Sequence, residues 1–333
     1  MSVRKALVCG AAGFLGAHLE RRLKEEGFYV VSVARKLPLY RTSVADEYNV
    51  LDLTNPPEFH HHFHRHCFDE VYQMASDGGG LGYIANSDND SSVMTNSLKI
   101  NLNMLDAIVR TGHGNKIFFA SSQCVYPTLE PVDPFAFERS APPAYSCRES
   151  DASFENFAFA QEKLFSEKLY DAYRRNHGLT IRIGRIGNTY GPYCTWFGDR
   201  AKAPAAICRK VVEASYAGTI DVWGDGSQIR SFTYVDDVIE GIRRLMMVDY
   251  QQPVNIASSE SVTIAELLEA VCHTAGKIVA FKPTDGPIGV RARTSDNTLA
   301  KRLLGWEPTT PLSDGICKLY AWVRDQVLNQ KVA

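Results

Sequence analysis

Three glycines set the first chemical expectation. Gly10, Gly13 and Gly16 follow directly on the strand-like segment 4–9 (RKALVC) and open a stretch in which Leu19 and Leu23 repeat at helical spacing, closed by Gly27. Glycine at such a junction lets the backbone turn tightly, approach a pyrophosphate and pack helix against strand. The helix N-terminus then offers amides and a partial positive charge to the anion. In this setting the spacing predicts a dinucleotide site with contacts from Gly10, Gly13, Phe14, Leu15 and Gly16; the plainer reading is a mere tight turn. A second strand ending in an acidic residue would bind the ribose diol of NAD. Here it ends in Ala34, followed by Arg35. A small residue and a cation suit a 2′-phosphate, so NADP stands beside NAD, unless Arg35 only stacks on the adenine. Asp52 is expected at the adenine amino group, or else simply forms a turn.

These residues need a frame. Residues 4–9, 29–34, 49–53, 69–75 and 116–122 read as strands, 157–177 as a long helix, with LTIRIGRIGNTYG following at 179–191. Strands alternating with helices predict an α/β fold, a Rossmann-type doubly wound parallel sheet with a smaller α/β substrate-binding lobe. The dinucleotide-binding part is expected at 1–187 and 228–258, and the sugar-nucleotide lobe at 188–227 and 259–333. That lobe includes amphipathic helices at 264–275 and 312–328, with Leu267, Leu268, Val271 and Cys272 as a core stripe. Trp223-Gly224-Asp225-Gly226 reads as a turn before a strand. The Pro-rich stretch 127–143 reads as an ordered surface excursion near the site. No internal repeat or low-complexity linker is present.

ASSQCVYP (120–127), GNTYGPYCTWFGDRAKAPAAICRK (187–210), VWGDGSQIRSFTYVDDV (222–238), PVNIAS (253–258) and GVRARTSDN (289–297) together resemble the GDP-mannose 3,5-epimerases. These are extended short-chain dehydrogenases/reductases of the NAD-dependent epimerase/dehydratase family. QMASDGGGLGYI (73–84) is a looser match to the glycine-rich loop beside the sugar and brings in Gly80. The resemblance spans nearly the whole chain, and Ser-Ser-x-Cys, K-A-P-A-A and GVRxRxSDN are its specific parts.

The resemblance implies that a nicotinamide cofactor takes a hydride from C4 of a GDP-sugar, leaving a ketone that acidifies the C3 and C5 protons. Two groups must then act, because one base on one face can only return a proton to the face it came from. Cys124 and Lys202 are that pair by similarity. A thiol, with an ordinary pKa of about 8.5, becomes a base when cations or burial tune it, and a lysine must be lowered. Taken alone, Cys124 would read as a core cysteine and Lys202 as a solvated surface charge. The same resemblance gives Ser122 to the C4 oxygen and Lys163 to the nicotinamide ribose; the plainer role for Lys163 is a helix-surface charge beside Glu162 and Glu167. It gives Asn188, Lys202, Lys210, Gln228, Arg230 and Arg293 to the sugar and diphosphate, with Arg291 able to share the task. Arginine forks suit phosphate oxygens.

One position departs from the pattern. The superfamily uses Tyr-x-x-x-Lys for hydride transfer, with both side chains on one helical face so that lysine depresses the tyrosine pKa. This chain reads Phe159-Ala-Gln-Glu-Lys163. A phenylalanine cannot carry the C4 proton, and losing such a group typically costs ~10²–10⁴-fold in rate. Survival of Cys124, Lys202 and Lys163 favours a Tyr-to-Phe block of the kind made deliberately to trap a substrate, over a natural variant with an altered or lost reaction. Tyr126 and Tyr145 are the nearby candidates for a substitute role, and the loop opening 149–163 is slightly shorter than expected.

Other readings are weaker. A simple C4 epimerase needs no base on carbon, and a dehydratase would want an acid pair where Ser122-Gln123-Cys124 stands. A catalytically silent nucleotide-sugar-binding protein is the non-enzyme alternative. His60-His61-His62-Phe63-His64-Arg65-His66 suggests a metal, but no carboxylate or cysteine completes a closed site, so a solvated helix is expected. With 333 residues, 45% hydrophobic, 22% charged and a formal net charge of -2, the chain gives no global sign of a nucleic-acid or membrane partner. No apolar run approaches the ~18–20 residues of a bilayer span. Eight scattered cysteines without a C-x-x-C pair suit a reducing cytoplasm, and a homodimer is the family expectation.

Overall fold

The computed structural model describes residues 3–126, 146–147 and 157–330. The Pro-rich stretch, Tyr145 and most of the loop before residue 157 lie outside them. In chain order the first elements are β1 (Lys5–Cys9), α1 (Phe14–Glu25), β2 (Tyr29–Ala34), β3 (Glu47–Val50), α2 (Pro56–His64), β4 (Glu70–Gln73), α3 (Leu81–Ile84), α4 (Asp90–Thr111) and β5 (Lys116–Ser122). Then come β6 (Ser146–Cys147), α5 (Ala158–His177), β7 (Thr180–Ile186), β8 (Asn188–Tyr190), α6 (Ala203–Glu213), β9 (Thr219–Trp223), β10 (Ile229–Tyr234) and α7 (Val235–Met247). The last are β11 (Val254–Ile256), β12 (Ser261–Thr263), α8 (Ile264–Ala275), β13 (Ala280–Thr284), β14 (Ala292–Ser295), α9 (Thr298–Leu304) and α10 (Leu312–Gln330).

Seven strands form one sheet in the order β11-β7-β5-β4-β1-β2-β3. Every pairing in it is parallel. The reason is visible in β1. Ala6 and Val8 enter a core shared with Leu19 and Leu23 of α1, whereas Leu7 and Cys9 enter a second core with Phe59 and Phe63 of α2 and Ile108 of α4. A strand buried on both faces needs the continuous apolar run that Ala6-Leu7-Val8-Cys9 supplies. Each such side chain contributes about 1.5–3 kcal/mol by leaving water. The order reverses between β1 and β4, so a crevice opens at their carboxyl ends, where sheets of this type bind ligands.

A second sheet, β12-β10-β14-β6, stands beside it, with β8 also pairing β10, and β13 and β9 form a two-stranded ribbon. Helices α8 and α10 pack against α6. Leu267, Leu268, Val271 and Cys272 are buried as expected, and a capping box between Thr263 and Glu266 starts α8. Gly224 and Gly226 take positive φ in the turn after β9.

Four expectations need correction. The third strand lies at Glu47–Val50 instead of 49–53, and Leu51 and Leu53 are buried in the turn that follows it. The fourth, expected at 69–75, is confined to Glu70–Gln73. The run 179–191 is two strands in different sheets. It breaks at Gly187, where a Cβ would lie 2.6 Å from that of Ala257 and 3.0 Å from Gln123 Oε1. The histidine run does enter α2 between β3 and β4, as far as His64, but it is not merely solvated: His62, and His66 just past the helix, are buried, with ring centres 5.4 Å apart.

Candidate active site

A cleft of about 860 Å³ occupies that crevice, within the size range of small-molecule sites. Its floor is the glycine turn. Gly10 has φ 81°, and a Cβ there would lie 2.8 Å from the Ala75 backbone, two residues past β4. Gly13 caps α1 in an extended conformation with no side-chain bond to the first-turn amides. Gly10, Gly13, Phe14, Leu15 and Gly16 all line the cleft. The helix therefore points its positive end into open space, which suits a pyrophosphate.

The groups suited to proton and hydride chemistry gather on the adjoining wall. Ser122 ends β5, and its Oγ accepts the Cys124 amide at 3.1 Å. Phe159 and Lys163 lie one helical turn apart at the start of α5, and all four side chains line the cleft. Lys163 is buried, not a surface charge, and its Nζ sits 3.7 Å from Glu162 Oε2. Phe159 stacks close to the loop after β4, where a Cβ on Gly78 would lie 2.8 Å from its Cε2. Lys202 comes from the N-cap of α6 and lines the same cleft. Its side chain is accessible because the cleft is open. It is nevertheless walled by enough protein that lost hydration lowers its pKa, an effect countered by the Cys124 and Cys194 thiols.

Opposite the glycine turn the cleft is cationic. Arg200, Arg209, Lys210, Arg230 and Arg293 join Lys163 and Lys202 on its lining, against the carboxylates of Asp199 and Asp221. Arg230 donates to the carbonyls of Ile229 (2.8 Å) and Ile288 (2.9 Å), which fixes its guanidinium. Burial first, and then the charge of Arg293, pull its pKa down to about 10, with Cys124 offsetting part of this. Arg293 donates to the Tyr126 carbonyl at 3.0 Å. Lys210 donates to the Asp221 carbonyl at 2.5 Å, Gln228 to that of Trp223 at 3.3 Å, and Asn188 to that of Ser231 at 3.2 Å. Gly80 packs on the Arg200–Ala201 backbone. A near-neutral chain thus concentrates positive charge where a dinucleotide and a nucleotide-sugar would bring several phosphates.

The profile of the NAD dependent epimerase/dehydratase family matches residues 6–257. The chain belongs to this family. It is 37% identical to GDP-mannose 3,5-epimerase 1 of Oryza sativa subsp. indica, over 97% of this chain and 82% of that one. It is 37% identical to GDP-mannose 3,5-epimerase of Arabidopsis thaliana, over 98% and 84% respectively. Among solved structures, UDP-glucose 4-epimerase of Thermus thermophilus in complex with NAD superposes with a TM-score of 0.81 at 22% identity, covering 96% of this chain and 99% of that one.

NAD is the cofactor of the family, and the crowded Gly10 turn with the uncapped α1 terminus fits it. Two expected cofactor contacts are not brought to the main cleft. Arg35 is exposed beyond β2, and Asp52 accepts from the Thr54 amide and hydroxyl, both at 2.9 Å, as a turn-former does. Tyr126 is no substitute for the missing tyrosine. It is fully buried behind the cleft, giving its hydroxyl proton to Asn255 Oδ1 at 2.5 Å and accepting from Arg185 at 3.3 Å.

Two sets of residues escaped the sequence reading. Glu167 of α5 accepts from Ser121 Oγ at 2.5 Å and from both Arg185 Nε (2.9 Å) and NH2 (2.7 Å). This buried brace holds the end of β5, which carries Ser122, to the helix that carries Lys163. Asp77 and Arg200 form the second set, joined at 2.9 Å. The only signal available for them was position: one lies in the glycine-rich loop, the other two residues before Lys202.

Proposed function

We propose that this chain is a nucleotide-sugar epimerase that acts on a GDP-sugar of the GDP-mannose kind, at C3, C5 or both, through a ketone at C4. One observation carries the reading. Cys124 and Lys202, far apart in sequence, line a single cleft with Ser122, Lys163 and the dinucleotide turn, and the Cys124 thiol enters the electrostatic surroundings of Lys202. Bound NAD supplies a hydride acceptor for the C4 alcohol and a hydride donor for its return. Ser122 accepts the Cys124 amide on its oxygen, so its own proton is left for the C4 oxygen. Lys163, buried between the rings of Phe119 and Phe159, provides the fixed positive charge beside the cofactor ribose. Lys202 has a lowered pKa, as a lysine that takes and returns protons near neutrality requires. Arg230 and Arg293 hold the diphosphate.

Phe159 has no proton to exchange with the C4 oxygen, so this chain turns over slowly. A binding protein without turnover is the second reading, and it rests on Phe159 alone. The same proposal places the protein in the cytoplasm as a homodimer. Leu102 of α4 and Phe165 of α5 are both about half exposed, and no helix among the described residues is long and apolar enough to cross a membrane.

Solvent deuterium incorporation into GDP-mannose, followed by NMR, tests the proposal. Phe159→Tyr is expected to exchange protons at C3 and C5 while the present chain barely does. If neither form exchanges a proton though both bind GDP-mannose, this substrate assignment fails.

A further inference from the structure

Lys202 sits at a helix N-cap after an irregular stretch of chain, a setting that does not by itself hold a proton-transferring group steady. The preceding residues are, however, fastened across the cleft. The Gly80 amide donates to the Arg200 carbonyl at 2.9 Å. In return, Arg200 donates from NH1 to the Gly78 carbonyl at 2.7 Å and from NH2 to Asp77 Oδ1 at 2.9 Å. Its guanidinium lies 3.5 Å from the centre of the Tyr83 ring. A Cβ on Gly80 would overlap the Ala201 carbonyl oxygen, so the two segments are in backbone contact.

Asp77 is in turn tied to the main sheet's helices. It is buried, its amide donates to Ser97 Oγ at 3.1 Å, and its carboxylate accepts from Asn96 at 2.9 Å and from the Tyr83 hydroxyl at 3.0 Å. These donors and Arg200 hold the carboxyl below its usual pKa against the opposing effect of burial. A buried carboxylate met by three side-chain donors is a fixed anchor.

We propose that Arg200, anchored by Asp77, is a positioning residue that sets Lys202 relative to the cofactor side of the cleft. Lys202 serves one face of the sugar and Cys124 the other, so a small slip of the strap changes the reach of Lys202 and leaves Cys124 in place. Misplacement by about 1 Å can cost 10²-fold in such a step. The proposal rests on the epimerase reading for its chemistry, but not for its geometry.

Two measurements separate these. With Phe159 retained, the pH dependence of Lys202 acylation is followed by peptide mass spectrometry for the parent, Arg200→Met, Arg200→Lys and Asp77→Asn. Loosening the strap hydrates the amine, so the labelling midpoint is expected to rise by at least half a pH unit in Arg200→Met and Asp77→Asn, and by less in Arg200→Lys. In the Phe159→Tyr background, deuterium wash-in at C3 and C5 is compared with that of Lys202→Ala. Arg200→Met is expected to lose exchange at the same carbon as Lys202→Ala, by 10-fold or more, while the other carbon, followed at saturating GDP-mannose, changes less than threefold. A labelling midpoint that stays put in folded variants overturns the positioning role, as does equal loss at both carbons. A shifted midpoint in a protein that never exchanges protons leaves the strap standing and removes the epimerase reading alone.

Discussion

Arg230 and Arg293 occupy partnered positions in the register of β10 and β14, so a parallel ladder sets two guanidinium side chains next to each other. Like charges so placed are unfavourable until an anion lies between them. Burial first, and then that crowding, lower the pKa of Arg230.

Arg230→Met is therefore expected to leave the melting temperature of the ligand-free protein unchanged or slightly raised. The same change should weaken GDP-mannose about 10–100-fold, since hydrogen bonds to charged groups contribute about 1.5–3 kcal/mol. Thermal melts and calorimetry read both quantities, and an unaltered affinity would remove the diphosphate role.

Gly80→Ala tests the close approach of the two loops. The added methyl meets the Ala201 carbonyl, which is backbone and cannot swing away. A stability loss of about 1–3 kcal/mol is expected for overpacking of this kind. In the Phe159→Tyr background proton exchange should fall more steeply than stability explains. Denaturant titration beside NMR exchange gives the comparison, and a silent substitution would show that the loops separate in solution.

The histidines around α2 make stability pH-dependent. Burial, before any other cause, lowers the pKa of His62, His66 and His113 in the folded protein. The unfolded chain binds protons at these sites first, near the ordinary value of about 6.5. Their contribution is thus complete above that pH and is lost as pH falls through it toward the folded values. Melting temperature should drop between pH 7.5 and 5.5, and His62→Gln should flatten that slope. A slope unchanged by the substitution would assign the acid sensitivity to other groups.

Leu102 and Phe165 give the expected dimer a test of its own. Light scattering of the unaltered protein should report twice the 37.0 kDa chain mass. Phe165→Glu, which places a charge on exposed α5, should shift it toward the monomer without loss of secondary structure. A monomeric parent protein contradicts the proposal at once.

Much of the cleft was legible before any coordinates. The glycine spacing marked the turn between β1 and α1, because that geometry is local and three residues specify it. Ser122, Cys124 and Lys163 were legible only through the family resemblance of the motifs that carry them, since each taken alone has a plain structural reading. What stayed hidden is what depends on topology. Asp77 meets Arg200, and Glu167 meets Arg185, only after the strands are ordered. Gly187 looks like one more residue of a strand until Ala257 is seen against it. The turn-forming bonds of Asp52 to Thr54 are invisible to a pattern that asks only which residue follows a strand.

The sharing of β10 has an evolutionary consequence. Its last three residues pair β8, one residue from the end of β7 in the main sheet, while its first three pair β12 and its first two pair β14 beside the cationic wall. A recombination event that grafted a new sugar-binding region onto this cofactor-binding frame would have to cut inside that strand or leave its ladder unmatched. New sugar specificities on this architecture should therefore arise by point substitutions along the cleft, with chimaeras between distant relatives failing to fold.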